Sequence, residues 1–314
     1  MPRTQPSPQG ALAVFRERWG QGTIQEAVDA AARDLTKAFE AHLPIDPAAV
    51  AARFGAKVIN VPLDSLGTGD STRHGELAVV KDRWQISVPS DVVNERRRFS
   101  IAHEIGHILL FDAVAEHADL VRELRRDSFH SYVEALCNQI AARILMPSVP
   151  FSSAITRLGG LGSADLLTGL SDTFWVSAGA AARRLVELEP SRRLLIWDYV
   201  LDHPRGPAWR TAKEQDRSRG PYIPDGLSSR RLRPDVVDEA AELGVSSAAA
   251  VKFDAPNLSE LKNVHAYRQR QRPKSSLPLS EFDSQRIVTP RVYLVHEIPL
   301  DSGLLRSRPQ GGRI

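Results

Sequence analysis

Two histidines and a glutamate carry the chemistry that stands out in this chain: His103-Glu104-Ile105-Gly106-His107. On a helix, positions i and i+4 differ by about 40° around the axis. Both imidazoles would therefore face one point and could share one metal ion. Glu104 falls between them, placed to reach a water at that ion without ligating it. Zinc would make such a water acidic enough for a carboxylate to deprotonate at neutral pH. At this composition an accidental H-E-x-x-H is expected in roughly one such chain in seventy.

A hydrolytic zinc needs a third protein ligand and an open position. The extension that would supply a third histidine on the same stretch is absent, since Leu110 and Ala113 stand where its glycine and histidine would be. Spacing leaves Asp112, His117, Asp127, His130 and Glu134 open. Glu134 is the best placed of them. It heads a stripe with Cys137, Asn138, Ala141 and Leu145 on a second helix, where a carboxylate is costly unless paired or metal-bound. His74, His130 and Tyr132 are weaker candidates for stabilising an oxyanion, with surface or packing roles the plainer reading.

The motif needs a long helix, read over residues 92–111, with Phe99, Ile101, Ile105, Ile108 and Leu109 apolar. A polar segment, 112–128, leads to the second helix, from about Phe129 to Met146, ended by Pro147 and Pro150. Upstream, residues 23–42 read as a helix opened by a Thr23–Glu26 capping box. Asp46 and Pro47 start a short helix stopped by Gly55. Strands are expected at Lys57–Pro62, Glu76–Val80 and Trp84–Val88. Residues 153–190 read as short helices divided at Gly159-Gly160 and at Ser171–Ser177. Further on, Leu194–Leu201 and Arg291–Ile298 read as strands, 235–243 and 257–269 as helices, and 202–234 and 270–280 as loops. The fold class is α+β.

The chain has 314 residues, enough for two or three domains. Its single cysteine excludes disulfide frameworks and cysteine-rich metal sites. Met1–Gly10 lacks the apolar core of a secretory signal, and residues 1–22 read as a disordered tail. No apolar run is long enough for a membrane span, so a soluble, cytoplasmic protein is expected. Residues 1–150 carry 17 Lys+Arg and 19 Asp+Glu, net −2, leaving +5 for the remainder. That excess weakly favours an acidic or polyanionic partner, although arginines in solvated loops suffice to explain it.

Two blocks resemble the ImmA/IrrE family of metallopeptidases. One is Arg97-Arg98-Phe99-Ser100-Ile101-Ala102-His103-Glu104-Ile105-Gly106-His107. The other runs from Glu134-Ala135-Leu136-Cys137-Asn138 to Leu145-Met146-Pro147, with Ile140 where the family usually has phenylalanine. The resemblance covers about residues 40–190. It implies a zinc centre of His103, His107 and Glu134 with Glu104 as general base; other divalent ions such as Mn2+ are admissible. It also implies a three-part layout: a zincin-like peptidase domain over 23–150, a helix-turn-helix-like module over 151–190, and a GAF-like sensor domain over 191–314. The implied substrate is an XRE-type helix-turn-helix transcriptional repressor, whose cleavage derepresses DNA-damage-response genes. A small-molecule signal at the GAF-like domain would fit that layout.

Direct DNA binding is not expected. The second helix of the helix-turn-helix-like outline at Leu170–Leu185 carries Arg183 and Arg184 but begins with Ala178, Gly179 and Ala180, and offers base edges little beyond Ser177. The competing reading is a non-proteolytic DNA-binding or sensor-type regulator with a structural metal site. A closed structural site would normally have four protein ligands, often cysteines.

Overall fold

The computed structural model describes residues 8–62, 75–90, 92–163 and 165–189, together with strands at 192–200, 208–211, 264–268 and 291–297. These residues fall into two units. The first takes the described residues up to Ser152 with Asp172–Ser177; the second takes Ser153–Ser171 and the described residues from Ala178 onward.

The first unit opens with helices α1 (Gln9–Arg18), α2 (Ile24–Thr36) and α3 (Pro47–Ala52). Strands β1 (Lys57–Val61), β2 (Glu76–Val80) and β3 (Arg83–Pro89) come next. Helices α4 (Asn94–Ala113), α5 (Ala118–Leu124) and α6 (Asp127–Leu145) complete it. Helix α7 (Ser148–Arg157) spans the division between the units, as does α8 (Leu166–Phe174).

Local chemistry sets several of these boundaries. The Thr23 side chain accepts from Glu26 N–H, and Glu26 accepts in return from Thr23 N–H, so α2 starts with two of its orphan donors satisfied. Asp46 caps α3 with Pro47 at its first position, and Gly55 ends the segment at φ 64, a conformation that costs glycine nothing. Lys81 and Asp82 form a two-residue hairpin turn with φ 51 and 58 between the paired Val80 and Arg83. Positive φ at both turn residues matches the twist of the strands they join.

The sheet is small and mixed, in the order β1-β3-β2, with β1 parallel and β2 antiparallel to the central β3. Ile86 and Val88 of β3 are fully buried and face the core. Helix α4 packs on β3, α3, α1 and, most extensively, α6; α2 also packs on α6. Ile105 and Ile108 of α4 and Leu136 and Ile140 of α6 have no exposed surface, so these two helices share one apolar seam. Asp29 of α2 pairs with the Arg143 guanidinium of α6, whose side chain is 6% exposed. Arg98 of α4 donates to the carbonyl of Ile45 at 2.7 Å and lies 5.4 Å from the Trp175 ring centre. That anchors the N-terminal half of α4 against both segments.

Four expectations are corrected here. Residues 1–22 are not a disordered tail throughout: Gln9–Arg18 is helix α1, with Ala11, Leu12 and Phe15 buried. Glu123 of α5 accepts from Ala11 N–H at 2.9 Å, and Arg18 pairs with Asp112 at 2.7 Å, tying both ends of α1 down. The polar segment 112–128 contains α5. Pro150 does not follow a helix but sits in the first turn of α7, where its missing N–H costs nothing. The break expected from Ser171 begins later, because α8 continues to Phe174.

In the second unit, helix α9 (Ala178–Glu187) is followed by β4 (Arg192–Val200), β5 (Ala208–Thr211), β6 (Val264–Arg268) and β7 (Arg291–Glu297). They form an antiparallel sheet in the order β5-β4-β7-β6, and α9 packs against β4 and β7. The helix expected over 257–269 is therefore wrong at 264–268, which pair as β6 with β7. Likewise β5 lies in what was read as loop. The helix expected at 235–243 and the loop at 270–280 lie outside the described residues. The architecture is α+β, mostly helical, and no helix among the described residues is long and apolar enough to cross a membrane.

Candidate metal centre

His103 and His107 lie one helical turn apart on α4, and Glu134 lies on the facing turn of α6. Their ligand atoms all fall within 4.8 Å of one another, the only such group of three found among the described residues. His103 Nε2 is 3.1 Å from Glu134 Oε2, His107 Nε2 is 3.2 Å from Glu134 Oε1, and the two Nε2 atoms are 3.2 Å apart. All three side chains are half-buried at the edge of the α4–α6 seam. Two imidazole nitrogens and one carboxylate oxygen suit zinc and leave a fourth direction open.

Gly106 makes this proximity possible. A β-carbon there would lie 3.0 Å from the Cys137 α-carbon and 3.1 Å from its β-carbon. No larger residue fits without moving backbone, so the fourth residue of the motif lets α6 bring Glu134 up to the histidines.

Glu104 points elsewhere on α4 and is 7% exposed. Gly75, just before β2, lies against it, with a β-carbon position 3.0 Å from Glu104 Oε1. Burial raises the Glu104 carboxyl above its ordinary range; the nearby histidines pull it down, and Glu134 and Glu76 add to the rise. A carboxyl held in this way is suited to taking and returning protons. For Glu134 burial also pushes upward, but hydrogen bonds from His103 and His107 outweigh it. This carboxyl sits well below the ordinary range and stays anionic. For His103 burial pulls down, yet the hydrogen bond to Glu134 and the charges of Glu104 and Glu134 prevail, and the imidazole is raised.

The remaining candidates separate cleanly. Asp112 is engaged by Arg18. His117 precedes α5 and Asp127 lies in the first turn of α6, both exposed and outside the cluster. His130 comes within 3.8 Å of Glu134 Oε1 but is 62% exposed. Tyr132 is buried, and burial raises its hydroxyl pKa although the charge of Arg16 on α1 pulls it down. His74 lies outside the described residues. Cys137 is fully buried, as a small filler would be.

Two features had no role assigned from the sequence. Asn138 Oδ1 lies 2.9 Å from His103 Nδ1. Beyond His107, its ring stacks near Phe111 at 6.5 Å between centres, and Phe111 near Trp84 at 6.3 Å. Asn138 is four residues after Glu134 and Phe111 four after His107, so helical spacing pointed to both faces. It did not point to what they meet.

The fold and the cluster define a small α+β domain with two histidines and a glutamate gathered from two crossed helices. Residues 51–186 match the family model Peptidase_M78, described as the IrrE N-terminal-like domain. Among curated relatives, the radiation response metalloprotease IrrE of Deinococcus deserti is 39% identical over 102 residues, 32% of this chain and 36% of that protein. The protein of the same description from Deinococcus radiodurans is 33% identical over 165 residues, 52% of this chain and 47% of the relative. The matches thus span less than half the length of either relative. Among solved structures, a Mycobacterium tuberculosis transcriptional regulator superposes with a TM-score of 0.49 at 16% identity, over 93% of this chain and 81% of that one.

Proposed function

We propose that the chain is a zinc-dependent endopeptidase of the radiation or DNA-damage response. The observation that carries this is the convergence of His103, His107 and Glu134 on one point, with Glu104 buried on the same helix and not part of the cluster. The donor set fits a divalent ion, zinc first and manganese as the other admissible choice. Held there, the ion would polarise the scissile carbonyl and make the attacking water more acidic. His103, His107 and Glu134 hold it. Glu104 takes the proton from the water and delivers it to the leaving amine.

The names of the two Deinococcus relatives support the radiation-response setting. By family resemblance the substrate is an XRE-type transcriptional repressor, which would place the protein in the cytoplasm. In this reading residues 23–150 form the zincin-like peptidase domain and 151–190 a helix-turn-helix-like module serving as a packing or docking platform. Residues 191–314 form a GAF-like sensor domain able to take a small-molecule signal. The alternative, a DNA-binding or sensor-type regulator with a structural ion, lacks a fourth ligand among the described residues.

The deciding experiment is Glu104→Gln. The variant is expected to keep zinc and lose repressor cleavage by about 10²–10⁴-fold. A variant that binds zinc and still cuts the repressor at the normal rate sinks the peptidase reading.

A further inference from the structure

Asn138 lies on the same face of α6 as Glu134, one turn further on, and its side chain reaches across to α4. It meets the outer nitrogen of His103 at 2.9 Å, while the inner nitrogen of that ring faces Glu134 and His107. An amide can present either its oxygen or its nitrogen to an imidazole. The nitrogen would require a bare Nδ1 and a proton on Nε2, the atom that must ligate. The oxygen requires Nδ1–H and leaves Nε2 free to ligate. Only the second arrangement is compatible with an ion at the cluster. No comparable partner is found among the described residues for Nδ1 of His107, which is flanked by the Phe111 ring instead.

We propose that Asn138 is a positioning residue for the metal centre. Its Oδ1 accepts the His103 Nδ1–H, fixing that ring's tautomer and rotation and presenting Nε2 to the ion. Helix α6 thereby supplies one ligand, Glu134, and orients a second that belongs to α4. Among the described residues, His103 is held from behind by a polar partner, whereas His107 has the Phe111 ring beside it. The choice of a neutral amide over a carboxylate has a consequence of its own. An aspartate here would preserve the hydrogen bond and add negative charge behind the ligand, making His103 a stronger donor.

This inference rests on the reading that the cluster binds a divalent ion, and it does not need peptide cleavage. The test uses the full chain loaded with zinc, with affinity measured by competition against a chromophoric chelator. Long-range nitrogen–proton NMR of the imidazoles gives the tautomer. Asn138→Leu is expected to weaken zinc binding about 10–100-fold, and Asn138→Asp to restore it to the wild-type level or tighter. In the unaltered zinc-loaded protein, His103 should carry its proton on Nδ1. Three results would overturn the inference: zinc affinity of the Leu variant within twofold of wild type, an Asp variant as weak as the Leu variant, or zinc-loaded wild type with His103 ligating through Nδ1. The NMR result needs no variant, so misfolding of the Leu protein would not protect the inference. Zinc binding that depends on Asn138 in a chain that cuts no repressor would leave this inference standing and remove the peptidase reading. Failure of the unaltered chain to bind zinc would remove both.

Discussion

Gly106 and Cys137 stand in backbone-to-backbone contact where α4 crosses α6, with only 3.0 Å between a would-be Gly106 β-carbon and the Cys137 α-carbon. Gly106→Ala gains about 1 kcal/mol of helix propensity. Forcing a methyl into that space costs about 1–3 kcal/mol, because the obstructing atoms are backbone. We expect a net loss near 1 kcal/mol for alanine and more for valine, read by denaturant unfolding. Zinc affinity should fall in the same order, since the crossing sets the distance from Glu134 to the histidines. Unchanged zinc affinity in both variants would mean the crossing does not set that distance.

The raised imidazole of His103 gives zinc binding a definite pH dependence. In the metal-free protein His103 holds its second proton to higher pH than a free imidazole does. The ion must expel that proton to reach Nε2. Apparent affinity should therefore rise with pH and level off only above the raised His103 value, with proton release visible by calorimetry in buffers of different ionisation heat. Glu134 remains anionic throughout and adds no step in this range. An affinity flat through the imidazole range would contradict the assignment of His103 as a ligand.

Phe15 tests whether α1 is integral to the first unit. Its side chain is 1% exposed. Phe15→Ala should cost about 3–5 kcal/mol by cavity formation, measured as a shift in unfolding midpoint. A loss below about 1 kcal/mol, the range of exposed sites, would return α1 to the status of a tail.

Asp29 and Arg143 should respond unequally. Asp29→Ala removes the carboxylate that pairs with the buried Arg143 guanidinium, while the Gln139 carbonyl and Gln25 still accept from it. A loss of about 3 kcal/mol is expected. Arg143→Met replaces the guanidinium by apolar volume and leaves Asp29, 38% exposed, to water. That variant should lose less. Equal losses in thermal or denaturant unfolding would show that the pair's geometry matters more than the buried charge.

What could be read in the sequence was what depends on neighbours a few residues away. The Thr23–Glu26 cap, Gly55 as a stop, the β2–β3 hairpin and the His103–His107 spacing all have short range, and each stands in the structure. Glu134 was first among five candidates on spacing, and the family resemblance singled it out. Long-range partners decided the misses. Val264 and Tyr267 sit three apart, as on a helix, yet five residues from Val264 to Arg268 pair with β7 instead. Helix α1 depends on a cap supplied by Glu123, more than a hundred positions away. Asn138 has a role only because α6 returns it to His103.

The three clustered side chains come from only two helices, and those helices form the main seam of the first unit. An ion held there is a removable cross-link across that seam. By mass action, free metal at a hundred times its dissociation constant would add about 2.7 kcal/mol to the stability of the folded unit. Metal supply would then set how long the protein persists as well as whether it can act. A chain starved of the ion would be the one more readily opened and degraded.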